Sequence, residues 1–125
     1  MSTNASIHVK GTDGKVRSIY IHWDGYLSGV GHMLRDHYSN QAAADELVGM
    51  GDCSSLDATL DDSTFYHRDR NEDYDDVKAN EAFNLVDSLE LNSQQYDYYF
   101  DTAQWHLVTG GKCVLLTEAK EVEEA

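Results

Sequence analysis

Val16-Arg17-Ser18-Ile19-Tyr20-Ile21-His22-Trp23-Asp24-Gly25-Tyr26-Leu27-Ser28-Gly29-Val30-Gly31 is the stretch on which the fold turns. Its first half clusters β-branched and aromatic residues, as a strand does. Its second half opens a helical spacing, Leu27, Val30, Met33, Leu34 and Tyr38, so a strand is expected to run straight into a helix. Upstream, Ile7 and Val9 alternate with polar residues over residues 6–10. Between the two runs lies Thr12-Asp13-Gly14-Lys15, whose Asp-Gly pair is a strong hairpin turn signal. An N-terminal β-hairpin is the reading. Gly29 and Gly31 would each cost about 1 kcal/mol relative to alanine inside a helix, which points to close backbone packing or to a late helix start.

Working downstream, Ser39-Asn40 ends the first helix and caps a second through Ala42–Met50, closed by Gly49 and Gly51, so a helical pair follows the hairpin. Gly51 to Asp62 reads as a polar loop with Leu56 as an apolar peg. Ser63–His67 suits a short strand, Arg68–Asp76 a charged loop, and Val77–Leu89 a further helix with Ala79, Phe83, Val86 and Leu89 on one side. Tyr96–Phe100, Trp105–Val108 and Cys113–Leu116 form three short runs divided by turn residues, a C-terminal three-stranded antiparallel meander. The segment from Glu118 to Ala125 is read as helical or frayed. The fold class is α+β, with the meander and the hairpin expected to join in one antiparallel sheet.

The chain has 125 residues and is read as a single domain over 1–125, too short for two domains with a cleft between them. Its 41% hydrophobic content and eight tyrosines supply a core, so the acidity does not imply disorder. Nine basic and 23 acidic residues give a formal charge of -14, which repels nucleic-acid phosphates and anionic membranes. Direct nucleic-acid or membrane binding is therefore not expected. Cys53 and Cys113 sit in no paired motif and read as reduced, buried thiols. No apolar signal core stands near the N-terminus, so a cytosolic protein is expected.

The charge is unevenly placed. Residues 1–44 hold three acids and four bases, a sum of +1, whereas residues 45–125 hold twenty acids and five bases, a sum of -15. Within the acidic part, Asp57, Asp61, Asp62, Asp69, Glu72, Asp73, Asp75 and Asp76 are the candidates for a partner-binding surface. Plain solvation of a small protein is the alternative use of such acids.

The strand-to-helix stretch offers a different candidate: a ligand pocket of His22, Trp23, Asp24 and Tyr26, with Arg68 or Arg70 brought to it. Aromatic rings there would stack a base while an arginine and helix amides hold a phosphate. The purely structural alternative has Asp24 capping the helix, Gly25 making the turn, and Trp23 with Tyr26 plugging the core. No metal or other cofactor is expected. On one helix His32 and His37 point about 140° apart, and Asp69-x-Asn71-x-Asp73 lacks the glycine and glutamate of a calcium loop. Cys53, Ser54 and Ser55 stand in no nucleophile motif, and no phosphate-cradling loop is present, so an enzyme is not expected.

Tyr20-x-His22-Trp23-Asp24-Gly25-Tyr26-x-x-Gly29-Val30-Gly31, then His37-Tyr38 and Gly51-Asp52-x-Ser54-Ser55-Leu56, resembles a group of small uncharacterised proteins encoded by bacteriophages and prophages. The Tyr66 to Asp73 segment and the two aromatic strands near the C-terminus extend the resemblance over roughly residues 16–108. Leu27 departs from the proline often found there in the group. The resemblance implies a phage accessory protein acting in the host cytoplasm. With the acidity it suggests an inhibitor of a host defence or nucleic-acid-handling protein, an anti-CRISPR factor for example, acting as a DNA mimic. The alternative is a protein that sequesters a small ligand or nucleotide signal in the His22–Tyr26 pocket. A homodimer is compatible with so small and aromatic a chain.

Overall fold

The computed structural model describes residues 2–118. β1 (Ala5–Lys10) and β2 (Val16–Ile21) pair antiparallel, with Ile7 opposite Ile19. Their turn closes through Gly11, whose amide donates to the Lys15 carbonyl, and through Gly14 at φ +83°. On the other side of β1 lies β6 (Tyr96–Asp101), parallel to it, with Tyr98 beside Ile7. β7 (Gln104–Thr109) and β8 (Lys112–Leu115) follow in antiparallel order. Beyond β2, β3 (Cys53–Ser55) runs parallel to it at Ile21, and β4 (Thr64–Phe65) pairs antiparallel with β3. A further strand, β5 (Asn80–Ala82), lies antiparallel along Val16–Ser18 of β2. The result is an eight-stranded sheet ordered β4-β3-β2-β1-β6-β7-β8, with β5 also on β2.

The period of two along the strands sends Ala5, Ile7, Val9, Ile19, Ile21, Tyr98 and Phe100 to one face, where all are buried. Against them pack Leu27 and Val30 of a π-helical turn (Leu27–Gly31), Leu34 of α1 (His32–His37), and Ala44, Leu47 and Val48 of α2 (Gln41–Gly49). Burying each large side chain of this set is worth roughly 1.5–3 kcal/mol. The polar heads of its aromatics are matched as well. The Tyr98 hydroxyl donates to the Gly25 carbonyl at 2.7 Å, and Trp105 Nε1 donates to the Tyr38 carbonyl at 2.9 Å. Asn40 caps α2 by accepting from the Ala43 amide at 2.8 Å. Gly29 and Gly31 serve close packing: a Cβ would meet the Asp24 carbonyl at the first and Leu27 with Tyr98 at the second.

Several expectations are corrected. The sheet is mixed rather than antiparallel, because β1 meets β6 and β2 meets β3 in parallel. Gly51–Asp62 is not all loop: Cys53–Ser55 is a strand, continued by donation from the His22 and Trp23 amides to the Cys53 and Ser54 carbonyls. Arg68–Asp76 is not a plain loop, since α3 (Tyr66–Arg70) and α4 (Tyr74–Val77) are helical, with Asp73 capping the second. Val77–Leu89 is not one helix. β5 occupies its first part and α5 (Leu85–Leu91) starts only after Asn84, whose side chain accepts from the Asp87 amide. Cys53 is buried, but Cys113 is exposed on β8. Of the Glu118–Ala125 end, read as helical or frayed, Glu118 stands in a turn with its amide donating to the Leu115 carbonyl, and 119–125 lie outside the described residues.

Gly51 joins α2 to β3 at φ +80°, and a Cβ there would stand 2.7 Å from the Val77 carbonyl oxygen. Gly51→Ala is expected to lower unfolding free energy by about 2 kcal/mol, from the left-handed backbone and the clash together. Urea unfolding tests this, and a loss below about 0.5 kcal/mol contradicts it.

Candidate functional site

All eight acids singled out between residues 57 and 76 are exposed. They differ in what their carboxylates do. Asp69 holds Arg68 through two bonds of 2.9 Å and also accepts from the Phe65 amide at 2.8 Å, and the arginine keeps its carboxyl below the usual range. Asp73 caps α4, Asp57 accepts from the Ala58 amide, and Asp75 pairs with Lys78 at 3.5 Å. Asp61, Asp62, Glu72 and Asp76 take no side-chain partner among the described residues and face water.

The backbone under these acids is tied down. Asn71 turns through φ +57°, the Glu72 amide donates to the Tyr66 carbonyl, and His67 Nδ1 donates to the Glu72 carbonyl at 2.8 Å. Tyr74 packs edge-on against His67 and donates to the Gly49 carbonyl, fixing α4 to the end of α2. The two arginines of the segment turn back onto it. Arg68 lies over the Phe65 ring and donates to the Ser63 carbonyl, and Arg70 lies over Tyr66 and donates to Ser54 Oγ at 3.1 Å. Chemically this is a segment of exposed carboxylates whose arginines are already bonded within it or to Ser54.

The His22–Tyr26 stretch is arranged differently from either expectation. Trp23 is 45% exposed rather than a core plug, with its ring edge-on to His22 at 4.6 Å. His22 Nδ1 bonds the Tyr20 hydroxyl at 2.7 Å. Asp24 does not cap with its side chain. It takes φ +58°, its carbonyl accepts from the Val30 amide, and its carboxylate accepts from the Tyr26 hydroxyl at 3.2 Å. Gly25 is needed for close approach, because a Cβ would stand 2.6 Å from the Asn4 carbonyl carbon. Arg70 reaches this region through Ser54, the strand neighbour of Trp23, whereas Arg68 is committed to Asp69 and Ser63.

No residue spacing signals the polar chain on the second face of the sheet. Ser6 donates to Asp97 Oδ1 at 2.5 Å, so its oxygen accepts from His8 Nε2 at 2.8 Å; His8 Nδ1 then accepts from Ser88 of α5 at 2.6 Å. Ser6, His8 and Ser88 are fully buried. Burial pushes His8 down to about 4 against the pull of the Asp97 carboxylate, which keeps the ring neutral. Ser88 therefore has a base beside it but no access to a substrate. Burial likewise pushes the Cys53 thiol up to about 12, far from a reactive thiolate.

A cleft of about 530 Å³ opens between the β1–β2 turn, the end of α2 and the α4–β5 segment. Its cations are taken: Arg17 pairs with Asp13 and Glu81, and Lys78 with Asp75. Among the described residues no group of three or more His, Cys, Asp or Glu is placed to hold a metal ion. No helix among them is long and apolar enough to cross a membrane. Comparison with protein-family models, curated proteins and solved structures returned no match.

The unfolded chain takes up a proton on His8 near pH 6.5 and the folded chain only near 4, so stability falls as pH drops through that window. The loss attributable to this residue grows to about 3 kcal/mol and levels off only below about pH 4, where the folded state is protonated too. His8→Gln is expected to flatten that part of the pH dependence of urea unfolding, while a His8 that titrates near 6.5 by NMR in the folded protein contradicts the assignment. Ser18, opposite His8 on β2, buries a hydroxyl without a partner among the described residues. Ser18→Ala should leave stability unchanged or raise it by about 1 kcal/mol in the same assay.

Proposed function

We propose that the chain acts by binding, its acidic ridge of residues 57–76 docking on the basic face of a host protein and blocking it in the host cytoplasm. The observation that carries this reading is a difference in bonding: Asp61, Asp62, Glu72 and Asp76 are exposed with no side-chain partner among the described residues, while Arg68 and Arg70, also exposed, are bonded to Asp69, Ser63 and Ser54. A basic partner thus meets carboxylates and few competing cations. Duplex DNA offers one charge per about 1.7 Å of axis, and a fixed array of carboxylates can occupy a groove built for that density. The partner class is a nucleic-acid-handling or defence protein, in line with the resemblance to phage-encoded chains.

A second reading rests on Trp23. A half-exposed indole beside His22, with Arg70 reached through Ser54, offers a stacking surface and a cation to a nucleotide-like ligand. The two readings separate in one experiment. In a host-lysate pull-down, the wild-type chain should retain a protein that added duplex DNA displaces. Asp61→Asn, Asp62→Asn, Glu72→Gln and Asp76→Asn together, all at carboxylates without structural partners, should lower retention about tenfold or more, and Trp23→Ala should not. Undiminished retention by the fourfold variant contradicts the ridge. Loss with Trp23→Ala alone transfers support to the second reading.

A further inference from the structure

α5 carries apolar residues on its solvent side as well as on its packed side, which an ordinary amphipathic helix does not. Ser88, turned to His8, is its fully buried residue, with Leu85 and Leu89 half-buried on the same side, while Val86 and Leu91 are 65% and 59% exposed and Phe83, just before the capping Asn84, is 80% exposed. A hydrophobic residue ahead of an N-cap usually packs on the fourth helical residue. Here that residue is Ser88, committed to the sheet, so the Phe83 ring stays in water. At 100° per residue, Glu90 and Asp87 stand between Val86 and Leu91 around the solvent side of the helix. Neither acid has an ion-pair partner among the described residues.

Apolar borders around unpaired carboxylates call for a partner with the complementary pattern, a cationic centre with apolar borders. A second copy of this chain brings the same acids and another formal charge of -14, so like charge opposes self-association on this face. We propose that the solvent face of α5, together with Phe83, is a docking surface for a basic amphipathic protein segment. Its Lys or Arg side chains meet Asp87 and Glu90, and its apolar side chains cover Phe83, Val86 and Leu91. The surface is distinct in sequence from the 57–76 ridge and stands whether or not that ridge is an interface.

Fluorescence anisotropy with two labelled peptides tests it: a helical Leu/Lys peptide whose Lys stripe is bordered by Leu on both sides, and a peptide of the same composition in scrambled order. The amphipathic peptide is expected to bind about tenfold tighter than the scrambled one. Phe83→Ser, Val86→Ser and Leu91→Ser together, which alter only exposed side chains, should erase that preference with the circular-dichroism spectrum unchanged. Asp87→Asn with Glu90→Gln should weaken the amphipathic peptide about tenfold and reduce its salt dependence. The fourfold ridge variant should weaken both peptides alike and keep the preference. Equal affinity for the two peptides, or a preference that survives the serine substitutions, overturns the proposal. So does a dimer in sedimentation equilibrium that Val86→Ser dissociates, because a second copy would then be the occupant.

Discussion

β1 has a strand on each side, β2 and β6, and from Ala5 to Val9 a packed layer on each face, so the groups of these five residues must be satisfied inside the protein. On the helical face this is met by Ala5, Ile7 and Val9. On the other face the same alternation buries Ser6 and His8, and an unmatched imidazole there would cost several kcal/mol. The run from Ser88 through His8 and Ser6 to Asp97 meets that demand with each proton assigned one direction. It draws α5 down on the sheet by its serine, and the helix consequently shows Val86 and Leu91 to solvent. A polar requirement at the centre of the sheet thus determines what the surface displays.

The rest of the surface follows a related logic. At the far side of β2, the short β3 and β4 end in a segment that cannot bury much, and the chain instead fixes it with local bonds: Asp69 to Arg68 and to the Phe65 amide, His67 to the Glu72 carbonyl, Tyr74 to Gly49. These bonds absorb the cations and leave carboxylates outward. Each exposed pair adds little stability by itself. Together they hold the ridge in one shape, which lowers the ordering cost of binding through it.

What the sequence made legible was local. The Asp13-Gly14 turn, the Asn40 cap and the change from a period of two to a helical spacing near Leu27 are each written within a few residues. β3 was hidden because it is three residues long and joins β2 at a single position, Ile21 opposite Cys53, which polar Gly51–Asp62 text does not announce. The spacing of Ala79, Phe83, Val86 and Leu89 matched a helix by coincidence, while Asn84, the true cap, lay inside that pattern. His8 and Ser88 are 80 residues apart, so their contact has no local signature at all. Among the candidate ligands, His22 and Trp23 do lie together, but Arg68 does not join them because Asp69, its neighbour in sequence, takes it first.

From Ala5 to Val9, β1 is the enclosed strand about which the sheet, α5 and the displayed surfaces are organised. Native-state hydrogen exchange on the Ile7, His8 and Val9 amides tests it most directly. Exchange of these amides only through global unfolding, with a free energy equal to that from urea denaturation, is the predicted result. Exchange through a low-energy local opening, as an exposed edge strand would give, would contradict it.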